Sequence, residues 1–175
     1  MSEEIVNRVA SSDLITIDLA DYAPELQILE IDLKQFLFDG FILKEKEFRK
    51  TLKEFRISLK AFDFSIYTNT TVALNCSADA IVPMWAFMLV TSYLNTVNAD
   101  IHFGIKEDVF QQIFTNNINA IDASKFESKK VIVKGCGQIP LTEILYVAIT
   151  KKLQNTVSSL MFGEACSAVP VFKKK

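Results

Sequence analysis

The sequence is poor in the residues on which common catalytic and targeting signatures depend. Among 175 residues there is one histidine, His102. Histidine-based triads are therefore a poor fit, because one imidazole would have to be the base. His102 lies inside the short strand pattern Asp-Ile-His-Phe at 100–103, where a packed or solvent-facing ring is expected. Cysteine occurs three times, at 76, 136 and 166, with no Cys-x-x-Cys pair. An odd count in a chain long enough to build a core argues against a disulfide scaffold. There is no GxxxxGK[ST] phosphate loop, and Gly135-x-Gly137 lacks the third glycine and the downstream acid of a dinucleotide fingerprint. No nucleotide motif is present.

Charge of one sign is also missing. The formal net charge is −2, so no basic field exists to attract nucleic acid or an anionic membrane. The opening MSEEIVNRV carries two acids where a signal peptide needs positive charge. The longest apolar run, residues 80–90, is about half of what a membrane-spanning helix requires. A cytoplasmic protein is expected, with neither nucleic acid nor membrane as partner. No internal repeat, low-complexity stretch or long linker is discernible.

Half the residues are apolar and fourteen are phenylalanine, which together with the length predicts a single domain over 1–175. Two short strand patterns, 14–19 (LITIDL) and 28–32 (ILEID), flank turn chemistry at Asp21 and Pro24 and are expected to form an antiparallel ribbon. Residues 44–56 are helical by pattern, with Phe48, Leu52 and Phe55 on one face. Residues 44–60 hold seven Lys/Arg against three Glu, the signature of a solvated basic face. Residues 1–60 thus form an N-terminal ribbon and basic helix. From 71 to 168 strands alternate with helices: strands at 71–75, 100–103, 131–134 and 159–163, helices at about 79–97, 106–118 and 141–157. This alternation predicts an α/β layered fold with a mainly parallel sheet, βαβαβαβ over 71–163. The helix after Cys76 is apolar on nearly every face and is expected to be buried all round, with Trp85 and Tyr93 as core. Residues 169–175 read as a frayed basic tail.

Cys76, Cys136 and Cys166 each follow a short apolar strand pattern. Ligands of open α/β sheets bind beyond the carboxyl ends of the strands, so three thiols there can share one edge. Ser77 or Asp79 is a candidate cap for the helix after Cys76, and Pro140 suits the first turn after Cys136. A helix N-terminus favours the thiolate, which binds metals and attacks electrophiles. Gly135 and Gly137 permit close backbone approach to a bound ion. Three thiolates, completed by Asp79 or Glu164, would suit zinc, iron or an iron–sulfur cluster. Cysteine is equally at home as a small buried hydrophobe.

Four segments carry a likeness: MSEEIVNRVA, CSADAIVPMWAFML, VIVKGC and SLMFGEACSAVPVFKKK. Across essentially the whole chain the sequence resembles the uncharacterised family of Bacteroidota proteins catalogued as domain of unknown function 2480, which has no established activity. Residues 57–70 and 104–128 share less of the likeness. The resemblance implies a bacterial protein with a role near iron–sulfur cluster assembly. Three functions are therefore expected in competition. The first is a metal-binding accessory protein using the three cysteines, with iron–sulfur assembly proteins as partners. The second is a thiol-dependent enzyme or redox protein using Cys76 or Cys136. The third is a non-catalytic interaction module with inert core cysteines.

Overall fold

The computed structural model describes residues 14–37, 48–79, 81–135 and 139–175. The fold is α/β; the described residues form four helices and two sheets in which all but one strand pairing is parallel. The strands are β1 (Leu14–Asp18), β2 (Ile28–Asp32), β3 (Thr71–Asn75), β4 (Asp100–Phe103), β5 (Lys130–Lys134), β6 (Ser159–Phe162) and β7 (Val169–Lys173). The helices are α1 (Phe48–Ala61), α2 (Met84–Asn95), α3 (Lys106–Asn119) and α4 (Glu143–Leu153). One sheet runs β2-β3-β4 and the other β1-β5-β6-β7. The chain divides into two compact units, Glu25–Gln111 and Met1–Pro24 with Gln112–Lys175.

Three expectations are corrected. The N-terminal strands form no ribbon. Asp18 caps a 3₁₀ turn over Leu19–Tyr22, so the connection is not a hairpin loop, and each strand buries an isoleucine (Ile17, Ile31) in a different sheet. β1 lies parallel to β5 and β2 parallel to β3. The strands of 71–163 consequently belong to two sheets, each completed by one N-terminal strand. Residues 169–173 are not a frayed tail, since β7 closes one sheet antiparallel to β6.

The core of Glu25–Gln111 is one cluster. It joins Ile31 and Leu33 after β2, Phe55 and Leu59 on α1, Val72 and Leu74 on β3, and Ala86, Val90 and Leu94 on α2. On α1 the burial falls at i and i+4, the spacing its pattern predicts, while the Phe48 side chain lies outside the described residues. Trp85 packs edge-to-face on Phe55 and Tyr93 stacks on Phe64, both partly buried at the rim of this core. Helix α2 is not buried all round: Met84 and Met88 face solvent.

The chain also contains an internal repeat. The elements β2–α1–β3–α2–β4 recur in the same order as β1–α3–β5–α4–β6. From α1 onward the equivalences hold one offset of 59 positions: Phe55 with Phe114, Asp63 with Asp122, Leu94 with Leu153, Gly104 with Gly163. The backbone repeats too. Asn69 and Ser128 both have positive φ, and so do Gly104 and Gly163. The Asn69 amide bonds the Val97 carbonyl as that of Ser128 bonds Thr156. The Gly104 amide bonds Leu74 as that of Gly163 bonds Val133. Identical residues are few and the two first strands sit together at the front of the chain, which hides the repeat from inspection.

Equivalent burial sets an expected result. Phe55→Ala and Phe114→Ala, both at fully buried positions, should each cost about 3–5 kcal/mol in chemical denaturation. Met88→Ala, exposed on α2, should cost less than about 0.5 kcal/mol.

Candidate functional site

The carboxyl ends of the parallel strands carry the polar residues of each unit. In both, an Ile-Asp-Leu sequence ends the first strand (17–19 and 31–33) and the aspartate caps the 3₁₀ turn that follows. Register sets Asp32 beside Asn75 and Asp18 beside Lys134. The two aspartates then differ. Asp18 accepts the Ala20 amide and pairs with Lys134 at 3.4 Å. Asp32 accepts the Lys34 amide, the Ser77 amide at 3.0 Å and the Ser77 hydroxyl at 2.5 Å. Burial pushes the Asp32 carboxyl up, but the Ser77 hydroxyl and the Lys34 and Ser77 amides outweigh it and hold the group below its ordinary value.

This clamp fixes the loop that carries Cys76. The thiol is free and half-buried, and it packs against the hydrophobic cluster. Asn75 beside it is 7 % exposed, and its amide nitrogen has no hydrogen-bond partner. A buried donor left unpaired at a strand terminus is an opening for a polar ligand atom.

Neither helix begins where expected. Helix α2 starts behind Pro83, which sits extended at its N-cap, because a proline disfavours helical backbone in the residue before it. Ser77 caps nothing; it bonds Asp32. Cys76 is thus eight positions from Met84 and outside the influence of the helix end. Helix α4 likewise starts behind Thr142, after Pro140. Gly135 leaves room for protein: a Cβ there would overlap Leu141 and the Tyr146 hydroxyl.

The candidate ligands divide between the sheets. Cys76 and Asp79 share the loop after β3, in the sheet β2-β3-β4. Glu164 and the exposed, free Cys166 share the connection from β6 to β7, in the other sheet. Strands β5 and β6 are neighbours, whereas β3 pairs with β2 and β4. Cys136 and Gly137 lie outside the described residues. Among the described residues no group of three or more His, Cys, Asp or Glu side chains gathers where it could hold a metal. His102 is spent on Asp100, at 3.0 Å. Sequence reasoning missed Asp32 and Asn75 and gave Ser77 a helix cap in place of its bond to Asp32; the twice-used Ile-Asp-Leu was the available signal.

The whole-chain likeness is decided by the family comparison. This chain belongs to the DUF2480 family. The matching model, described as Protein of unknown function (DUF2480), covers residues 3–174. No curated protein and no solved structure matches the chain. Among the described residues of this family member no helix is long and apolar enough to cross a membrane.

The Asp32 clamp has a pH signature. Its folded pKa lies below the unfolded value of about 3.9, so its stabilisation is present above that value. It is lost as pH falls through the folded pKa. Denaturation at pH 7 should show Asp32→Asn less stable than the parent, and the gap should shrink toward zero as the pH drops below the folded pKa.

Proposed function

We propose that this DUF2480 protein is a cytoplasmic, non-catalytic interaction module that binds a partner protein through an apolar face present in both halves of its repeat. One observation carries the reading. Phe87 on α2 meets Phe103 on β4 edge-to-face at 5.8 Å, and the equivalent Tyr146 on α4 meets Phe162 on β6 at 5.5 Å. Beside each pair stands another exposed apolar side chain, Met88 at 71 % and Val147 at 66 %. Phe103 is itself 69 % exposed and Phe162 46 %. Exposed aromatics contribute little to a fold, and rigid aromatic anchors with methionine are the residues enriched at protein interfaces. Glu25–Gln111 also carries an apolar groove of about 460 Å³ between α1 and α2, lined by Leu52, Arg56, Trp85, Met88, Leu89 and Ser92.

The test is a photo-crosslinking residue placed at Met88 or Val147 in cells making the intact protein. A defined heterotypic adduct, identified by mass spectrometry and lost in Phe103→Asp or Phe162→Asp, is expected. Adducts restricted to the protein itself, or none, would reject the reading.

A second reading keeps the thiols. Both described cysteines are free and follow strand carboxyl ends, which supports a metal-binding accessory role for Cys76, Cys136 and Cys166 with Asp79 or Glu164. Zinc, iron or an iron–sulfur cluster would be held, and iron–sulfur assembly proteins would be the partners. Metal and acid-labile sulfide in protein purified without oxygen decide it. Each single Cys→Ser change should lower bound metal, and unchanged stoichiometry in all three rejects it. A thiol enzyme using Cys76 or Cys136 instead predicts one cysteine alkylating rapidly well below pH 8.5.

A further inference from the structure

The two halves of the repeat differ at one sheet edge. Among the described residues, strand β6 is covered by β7, whereas its equivalent β4 ends the sheet β2-β3-β4. The inner edges of the two strands match: Asp100 and Gly104 give their amides to Thr70 and Leu74, as Ser159 and Gly163 give theirs to Lys129 and Val133. Because amides alternate along a strand, the Ile101 amide is directed away from β3, as the Leu160 amide is directed toward β7. β7 therefore displays, within the same chain, the kind of strand that this edge takes.

We infer that the outer edge of β4 binds an extended segment of a partner protein by antiparallel strand addition, and that the segment has the chemistry of β7: alternating apolar residues leading into a lysine. This rests on the interaction-module reading and names what its Glu25–Gln111 face accepts. The register on β6 sets Lys173 opposite Ser159, Phe172 opposite Leu160 and Val169 opposite Phe162. On β4 the corresponding positions are Asp100, Ile101 and Phe103. Ser159 donates its hydroxyl to the Phe172 carbonyl, which a carboxylate cannot do. Asp100 stands in that place; its carboxylate meets His102 at 3.0 Å yet stays exposed, faces the register position of the lysine and selects a basic residue there. Strand addition draws affinity from main-chain hydrogen bonds and specificity from alternate side chains. The apolar side chains of the segment would extend the Phe87–Phe103 face.

The probe is a synthetic peptide of residues 168–175, AVPVFKKK, titrated into ¹⁵N-labelled full-length protein. Saturable shifts at Ile101 and His102 are expected, and Asp100→Lys should weaken binding by about threefold or more at low salt. In β7 the Lys174 amide bonds Ser158, so the Phe172 amide shares its direction and the Lys173 amide points away. N-methylation of the peptide at Phe172 should abolish binding and at Lys173 should leave it. No binding at millimolar peptide, equal affinity of the two methylated peptides, shifts confined to β6 through exchange with β7, or self-association of the peptide-free protein through β4 would each overturn the proposal. Heterotypic adducts at Met88 without peptide binding at β4 would remove the strand edge alone and leave the interaction module standing.

Discussion

Everything in this fold depends on parallel pairing between strands remote in sequence. A parallel pair cannot be closed by a hairpin; its second strand must return from a crossover. Here the demand is met four times, and β2 meets β3 and β1 meets β5 in unbroken five-residue registers. The first strands of both sheets come from adjacent stretches near the front of the chain, and each needs a partner made later. Ile17 and Ile31 are both buried, Ile31 in the cluster that α1, β3 and α2 complete. Loop closure of this kind is costly before it is rewarded.

The same constraint accounts for the polar ends of the strands. A strand leaving a parallel sheet exposes main-chain amides at its carboxyl end, and here an aspartate takes up one of them through a 3₁₀ turn twice, at Asp18 and Asp32, while Asp63 and Asp122 cap in the same way the 3₁₀ turns that follow α1 and α3. At Asp32 the carboxylate has a further task, since Ser77 ties the end of β3 to that of β2. At Asp18 a lysine takes the remaining interaction. The halves share a frame and differ in chemistry where the strands end.

Much of the architecture was legible because hydrophobic period and turn residues act locally. The strands at 28–32, 71–75 and 100–103 fall where the alternation of residue types sets them, and α1 buries Phe55 and Leu59 at the spacing of its apolar stripe. Partner choice was not legible. Nothing in LITIDL distinguishes a ribbon strand from a parallel one, because both bury alternate residues. The strand in VPVFKKK was obscured by its proline and lysines, features that suit an edge strand as well as a tail. The start of α2 was misplaced because Pro83 acts on the residue before it. At the site, the cysteines were visible as residue types, while Asp32, Asn75 and Ser77 become a group only through the register of β2 on β3.

The repeat itself bears on which exposed residues matter. Across the 59-position offset Cys76 corresponds to Gly135 and Cys136 to Ser77, so no thiol occupies matching positions in the two halves. Asp32 accepts from Ser77, whereas Asp18 pairs with Lys134, the equivalent of Asn75. Polar chemistry at the strand ends has thus diverged between halves. The aromatic pairs have not: Phe87–Phe103 and Tyr146–Phe162 keep both the residue class and the edge-to-face geometry. Buried positions such as Phe55 and Phe114 need no explanation beyond packing, because losing them costs the fold directly. An exposed ring has no such hold on stability, and water disfavours it. Its presence at both equivalent positions is therefore better accounted for by what the surface contacts than by what the core requires.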